Sequence, residues 1–444
     1  MIKFYKSLYL SSRIFYILAI ISILFLGSYW FHTLYAFAWL LIWGVVVVFL
    51  FDMVILFNNK TGIKANRLLP EKFSNSDFNA IPVRVKSNYS FTTYAEIIDE
   101  IPVQFQKRDF LKTGEIKPKE TLDFQYSLRP VKRGEYIFGH LHIYIKTRIS
   151  LVKRRYSFDK AAMVKVYPSF IQMKQYDFLA IDNKLTHFGL KKIRRIGHTM
   201  EFEQIKEYVI GDDVRTINWK ATAKHGNLMI NQFQDEKSQP IYSIIDESRV
   251  MKMPFKELSL LDYAINSTLA FSNIALKKQD KVGMLTFSNK VSNFLPASRK
   301  KTYVNNVSET LYNIKTQFLD ADFGTLYAHI KRKINHRSLL LLYTNFEHIS
   351  ALKRQLPYLQ ALAKKHLLVV IFFENTELHQ LIQENAEDLQ AIYDQTIAQQ
   401  FFYDKKVMVK ELQKHGIQTV LTTPEDLTVN TINKYLEIKA RGLL

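Results

Sequence analysis

Arg337-Ser-Leu-Leu-Leu-Leu-Tyr343 and His366-Leu-Leu-Val-Val-Ile-Phe-Phe373 decide the fold of the C-terminal half. Beyond their first residues both runs are apolar at every position. A strand with one wet face alternates, so strands like these have both faces covered. The residues between them, 350–365, have a helical period. The same alternation extends in both directions. Upstream lie Ile241-Tyr-Ser-Ile-Ile ending in Asp246, a helical stretch from about Phe255 to Lys278, the run Lys281-Val-Gly-Met-Leu-Thr-Phe, and helical periods over 300–317 and 324–335. Downstream, helices around 376–414 and 424–440 bracket a last strand near Ile417 to Leu421. Apolar strands alternating with helices predict an α/β doubly wound domain over 240–444, its parallel sheet covered on both sides.

Residues 78–168 read differently. Ile81-Pro-Val-Arg-Val-Lys and Leu141-His-Ile-Tyr-Ile-Lys alternate, and Met163-Val-Lys-Val-Tyr ends at Pro168. Ser87-Asn88, Thr113-Gly114 and Lys132-Arg133-Gly134 supply turns. Short alternating runs at this spacing predict an antiparallel β-sandwich over 61–170. Residues 171–239 then form a connector.

Residues 1–60 predict a two-helix transmembrane hairpin. From Ile14 to Phe57 the only formal charge is Asp52. One helix over that run would span roughly 65 Å, about twice the ~30 Å hydrocarbon core, so the chain must cross and return. The turn falls near Gly27, Ser28, His32 and Thr33. Tyr29 and Trp30 suit an aromatic belt there. Lys3, Lys6 and Arg13 precede the pair, Lys60, Lys64 and Arg67 follow it, and the turn has neither Lys nor Arg. By the positive-inside rule the chain is expected in the cytoplasmic (inner) membrane as a two-pass protein, with both termini and the soluble domains in the cytoplasm. A cleaved signal peptide fits poorly, because the apolar stretch is too long and resumes at once. Asp52 is expected to reach the interface and Lys60, the alternative being a functional intramembrane carboxylate.

The chain carries 61 Lys and Arg against 41 Asp and Glu, a net charge of +20. Such a surface suits anionic lipid, nucleic acid or an acidic protein, and a membrane anchor favours lipid. Basic clusters lie at Lys153-Arg154-Arg155 and at Lys191-Lys192 with Arg194-Arg195; both are expected to be solvated faces. There is no cysteine, which excludes disulfides, thiolate metal sites and cysteine nucleophiles. No phosphate loop, His-Glu-x-x-His or Gly-x-Ser-x-Gly motif occurs, and the histidines are dispersed. No enzyme activity is expected.

Within the connector, Glu207-Tyr-Val-Ile-Gly-Asp-Asp-Val-Arg-Thr-Ile-Asn-Trp-Lys-Ala-Thr-Ala-Lys-His-Gly-Asn-Leu228 packs an Asp pair, an Arg and a Trp closely. Asp212 or Asp213 can cap a short helix that Gly226 ends. Gly211, Asp212, Asp213, Arg215, Trp219 and Lys220 are the candidate partner-binding residues, since Trp and Arg often dominate interfaces. This segment resembles the signature of the domain of unknown function 58 family. Val131-Lys-Arg-Gly-Glu-Tyr-Ile-Phe-Gly, Val166-Tyr-Pro, Arg337-Ser-Leu-Leu-Leu-Leu-Tyr-Thr-Asn, Lys434-Tyr-Leu-Glu-Ile-Lys-Ala-Arg and the tandem spans extend the resemblance over nearly the whole chain. It implies a membrane-anchored protein whose α/β domain is von Willebrand factor A-like, often accompanied by a MoxR-type AAA+ ATPase.

Such domains can bind Mg²⁺ through Asp-x-Ser-x-Ser with a distant Thr and Asp, a set of oxygens suited to a hard cation. The resemblance assigns Asp246 and Ser248 to this pattern, with Thr325 as the distant threonine. Val250 stands where the second serine belongs and Asn345 where the distant aspartate belongs. Mg²⁺ is therefore the one candidate cofactor and none is expected to be required, Asp246 and Ser248 serving instead to organise the loop. The expected function is a membrane-anchored cytoplasmic scaffold or adaptor that binds a protein partner of the MoxR-type ATPase class. The alternative is a charge-driven module for anionic lipid or nucleic acid.

Overall fold

Two apolar helices, Ser12–Gly27 and Thr33–Phe57, lead the chain. The computed structural model describes residues 2–59, 61–158, 160–175, 201–234, 240–383 and 388–443, which divide into two compact units, Met1–Val166 and Tyr167–Leu444. Thr33–Phe57 has 25 residues and is long and apolar enough to cross a membrane; Ser12–Gly27, with 16, is a shorter apolar helix. Phe25 of the first helix packs edge-on against Tyr35 and Trp39 of the second. Tyr29 and Trp30 in the turn are exposed.

At about 1.5 Å per residue, Thr33–Phe57 is roughly 38 Å long, some 8 Å more than a hydrocarbon core. The last turns of this helix pack against protein. Leu56 is buried, and Phe49, Met53 and Phe57 pack against the same core as Ile143, Ile145 and Val152 of the β-sheets. Asp52 does not reach for an interface: it is 0% exposed. Its Oδ1 accepts from Thr147 Oγ1 at 2.5 Å, and its Oδ2 accepts from the Leu151 and Val152 amides, both at 3.0 Å. Three donors satisfy one buried carboxylate, as burial of an ion in an apolar setting requires. The helix end is held as well. Arg154 Nη1 donates to the Leu56 and Asn59 carbonyls at 2.6 and 2.7 Å, and Tyr89 Oη donates to Leu56 at 2.8 Å. A cation on the last carbonyls also complements the helix dipole.

The segment before the first helix is tied to the same place. Leu8–Leu10 adds an edge strand to Val152–Phe158, pairing Leu8 with Arg154 and Leu10 with Val152. Arg13 donates to the Arg148 and Ile149 carbonyls. The Lys153-Arg154-Arg155 cluster is therefore not a solvated face. Lys153 pairs with Glu96 at 2.6 Å, Arg154 clamps the helix end, and Arg155 lies over the Tyr9 ring. The cluster at 191–195 lies outside the described residues.

The five-stranded sheet runs in the order Leu8–Leu10, Val152–Phe158, Leu141–Lys146, Thr93–Asp99, Lys112–Ile116. Ile63–Arg67, Asn79–Ser87 and Thr121–Leu128 form a second sheet, and these ladders are antiparallel. Alternation in Asn79–Ser87 sends Val83 and Val85 into one core with Ile97, Ile143 and Ile145. A buried ion pair between Arg67 and Asp99, with Tyr126 Oη donating to the same carboxylate, closes one end.

In the second unit a six-stranded sheet has the order Val291–Ser298, Lys281–Phe287, Pro240–Asp246, Leu339–Tyr343, Leu367–Phe373, Gln418–Thr422. All neighbours are parallel except the first pair. Alternate residues serve two cores. Ile241, Leu339, Leu341, Val369 and Ile371 face helices Leu260–Lys277 and Leu427–Ala440. Ile244, Leu340, Leu342, Val370 and Phe372 face helices Phe323–Lys333, Ile349–Lys365 and Leu389–Lys414. Val291–Ser298 escaped the sequence reading because Pro296 and three polar residues break its pattern, which an antiparallel edge strand tolerates.

Asp52→Ala is expected to strand three buried donors at roughly 1–3 kcal/mol each, lowering the melting temperature of the detergent-solubilised protein by many degrees. Asp52→Asn, which keeps an acceptor, should recover part of the loss. An unchanged melting curve for Asp52→Ala would remove the docking role of this carboxylate.

Candidate functional site

In an open parallel sheet, binding crevices form beyond the carboxyl ends of the strands where strand order reverses. Here that point lies between Pro240–Asp246 and Leu339–Tyr343. Asp246 ends the first of these and is 0% exposed. Its Oδ1 accepts from the Ser248 amide at 2.8 Å and its Oδ2 from Thr344 Oγ1 at 2.7 Å. Burial pushes its carboxyl above the usual carboxylate range, against the Ser248 and Thr344 hydroxyls, which pull it down. Ser248 Oγ is buried without a hydrogen bond of ordinary geometry. Thr325 sits in the first turn of Phe323–Lys333, where its hydroxyl donates to Asp322 Oδ2 at 2.7 Å while Asp322 Oδ1 caps the Gly324 and Thr325 amides. Among the described residues no three His, Asp or Glu side chains gather as metal ligands.

At Asn345 the structure places a cation of its own. Lys405 Nζ donates to Asn345 Oδ1 and to the Phe346 carbonyl, both at 2.6 Å. Burial lowers this ammonium to about 8, partly offset by the charges of Glu347 and Glu374. A neutral amide at 345 is the right partner for a lysine that also needs a backbone acceptor. Sequence reasoning missed Lys405. The available signal was its position four residues after Phe401, on the apolar face of Leu389–Lys414.

The Glu207–Leu228 segment joins the two strands of a separate antiparallel ribbon, Glu201–Glu207 with Met229–Gln234. Gly211 has φ +107 in the intervening turn, a conformation glycine supplies. Asp212 organises this turn: Oδ2 accepts from the Val209 amide and Oδ1 from Lys206 Nζ, both at 3.1 Å. These contacts hold its carboxyl below the usual range, the amide contributing most. Asp213 caps Val214–Thr216 through the Arg215 amide, and Asn218 caps Trp219–His225 through the Ala221 amide. The acidic pair thus builds the loop. What the loop displays is apolar and basic: Ile210 is 96% exposed and Trp219 71%, Val209 and Val214 are exposed beside them, and Arg215 and Lys220 are exposed too.

The Lys405 geometry has a consequence for stability. A lysine whose folded pKa lies below its unfolded value costs stability while charged, because the unfolded chain then holds the proton more tightly. Stability should therefore rise with pH between about 8 and 10.5, the bounds set by the folded and unmodified values. Lys405→Met should flatten that rise relative to wild type in chemical denaturation across pH; identical slopes for the two proteins would contradict the buried-cation reading.

Residues 204–382 match the family model described as "Protein of unknown function DUF58". The uncharacterized protein YeaD of Bacillus subtilis (strain 168) is 23% identical over 128 residues, 29% of this chain and 32% of the relative, so the match spans about a third of that protein's length. Among solved structures, the conserved hypothetical protein BatB from Bacteroides thetaiotaomicron aligns with 46% of this chain and 100% of its own, at 13% identity and a TM-score of 0.31. An aerotolerance-related membrane protein from Bacteroides fragilis NCTC 9343, with multiple mutations to serines, aligns with 45% of this chain and 99% of its own, at 14% identity and a TM-score of 0.29. The chain thus resembles the DUF58 family over residues 204–382.

Proposed function

We propose that the protein is a membrane-anchored scaffold that offers the tip of its signature ribbon to a protein partner. The observation carrying this reading is the exposed group Val209, Ile210, Val214 and Trp219, flanked by Arg215 and Lys220, whose side chains have no hydrogen-bond or ion-pair partner among the described residues. Exposed apolar clusters rimmed by charge mark interaction sites, and Trp and Arg dominate their energetics. The partner class is the one the family resemblance implies, a MoxR-type AAA+ ATPase. The von Willebrand factor A-like reading of the α/β unit is supported by its strand order, its one antiparallel edge strand and the Asp246-x-Ser248 strand end. In this reading Lys405 supplies positive charge beside Asn345, so folding and partner binding need no Mg²⁺.

The anchor is a two-pass hairpin with both soluble ends in the cytoplasm. Its support is the pair of consecutive apolar helices, the exposed aromatic turn without Lys or Arg, and the basic flanks. A phosphatase active only outside the cytoplasm, fused to the C-terminus, should be silent; an active fusion would reverse the topology.

A second reading, insertion of the same tip into anionic lipid, is favoured by its mixture of Ile210, Trp219, Arg215 and Lys220. Salt separates the two, since charge-driven lipid contact weakens steeply with ionic strength while a packed apolar interface persists. Trp219→Ala and Arg215→Ala should each remove the ATPase from affinity-purified, detergent-solubilised protein, with a melting temperature within about 2 °C of wild type, because surface substitutions away from packed features cost little. Retention of the ATPase by both variants would refute the contact surface.

A further inference from the structure

Beyond the carboxyl ends of Leu339–Tyr343 and Leu367–Phe373 lies a cavity of about 480 Å³, a size typical of small-molecule sites. Phe255, Phe373, Leu378, Ile397 and Phe401 make most of its wall apolar. Charged groups of both signs interrupt that wall. Lys405 presents an ammonium with three donors, of which two are taken by Asn345 and Phe346. No carboxylate lies within ion-pair distance of it among the described residues, although Glu347 and Glu374 act on it through space. A buried ammonium with one donor open and no direct counter-ion is costly, and an acceptor in the cavity would relieve that cost. Glu374, half-buried at the end of Leu367–Phe373, lines the same cavity, and its carboxylate has no hydrogen-bond partner among the described residues. Glu347 and Asp394 are exposed members of the wall. Their charge disfavours a simple anion, and Lys405 disfavours a simple cation.

We propose that this cavity binds a small zwitterion with an apolar body, of the class of a free apolar α-amino acid. The ligand carboxylate accepts the open Lys405 donor, its ammonium pairs with Glu374, and its side chain lies among Phe373, Ile397 and Phe401. The site is independent of the ribbon tip and of the partner proposed for it.

The probe is L-phenylalanine, titrated calorimetrically into the full-length protein in detergent, beside hydrocinnamate, which lacks the ammonium, and phenethylamine, which lacks the carboxylate. A charge-assisted hydrogen bond contributes about 1.5–3 kcal/mol, so each half-probe should bind roughly tenfold or more weakly than phenylalanine. Lys405→Met should abolish phenylalanine binding. Glu374→Gln, a conservative change at a half-buried position, should bring phenylalanine and hydrocinnamate to similar affinity, and it decides the matter if Lys405→Met fails to fold. No binding of phenylalanine at millimolar concentration, half-probes that bind as tightly as phenylalanine, or undiminished binding by either variant would overturn the site.

Discussion

A carboxylate on an otherwise uncharged apolar helix must be neutralised, paired or fully hydrogen-bonded, and Asp52 meets that demand in protein. Its contacts with Thr147, Leu151 and Val152 fix the last turns of Thr33–Phe57 to the loop joining Leu141–Lys146 and Val152–Phe158. Arg154 and Tyr89 secure the carbonyl end of the same helix, and Leu8–Leu10 secures the segment entering the first. The apolar helices and antiparallel sheets of this unit therefore share a core. The helix is longer than a hydrocarbon core by about the length of its docked end. A flexible tether would need none of these contacts.

The second unit makes a comparable use of charge. At the strand ends, Asp246 is satisfied by the Ser248 amide and the Thr344 hydroxyl, and Asn345 by Lys405. Polar groups without partners among the described residues include Glu374 in the cavity beside Lys405 and Arg215 and Lys220 on the ribbon tip. Asp212 and Asp213 shape that tip, and Ile210, Arg215, Trp219 and Lys220 face outward from it. Position in the motif thus separates residues that build the loop from residues that can touch another molecule.

Much of the architecture was legible because hydrophobic period is a local signal. The unbroken runs at 339–343 and 367–373 revealed a sheet covered on both faces, and the alternation in 79–87 revealed a half-buried strand. What stayed hidden depends on contacts distant in sequence. Nothing near Asp52 announces donors about a hundred residues away, so the carboxylate read as an interfacial group. Lys153, Arg154 and Arg155 read as a solvated cluster because their partners, Glu96, Leu56 and Tyr9, are remote. Leu8–Leu10 is too short to carry a period. At the candidate site, Asp246, Ser248 and Asn345 were named through the family resemblance, whereas Lys405 is joined to Asn345 only by the fold, sixty positions along the chain.

Contact between the ribbon tip and a protein partner can be captured in place. The chain has no cysteine, so one introduced at Ile210 can carry a photo-crosslinker at a single defined place in native membranes. Irradiation should give one discrete adduct, identified by mass spectrometry as an AAA+ ATPase subunit and formed equally well at high salt. Adducts to lipid alone, or no adduct at a tip that remains accessible to labelling, would show that the tip makes no protein contact.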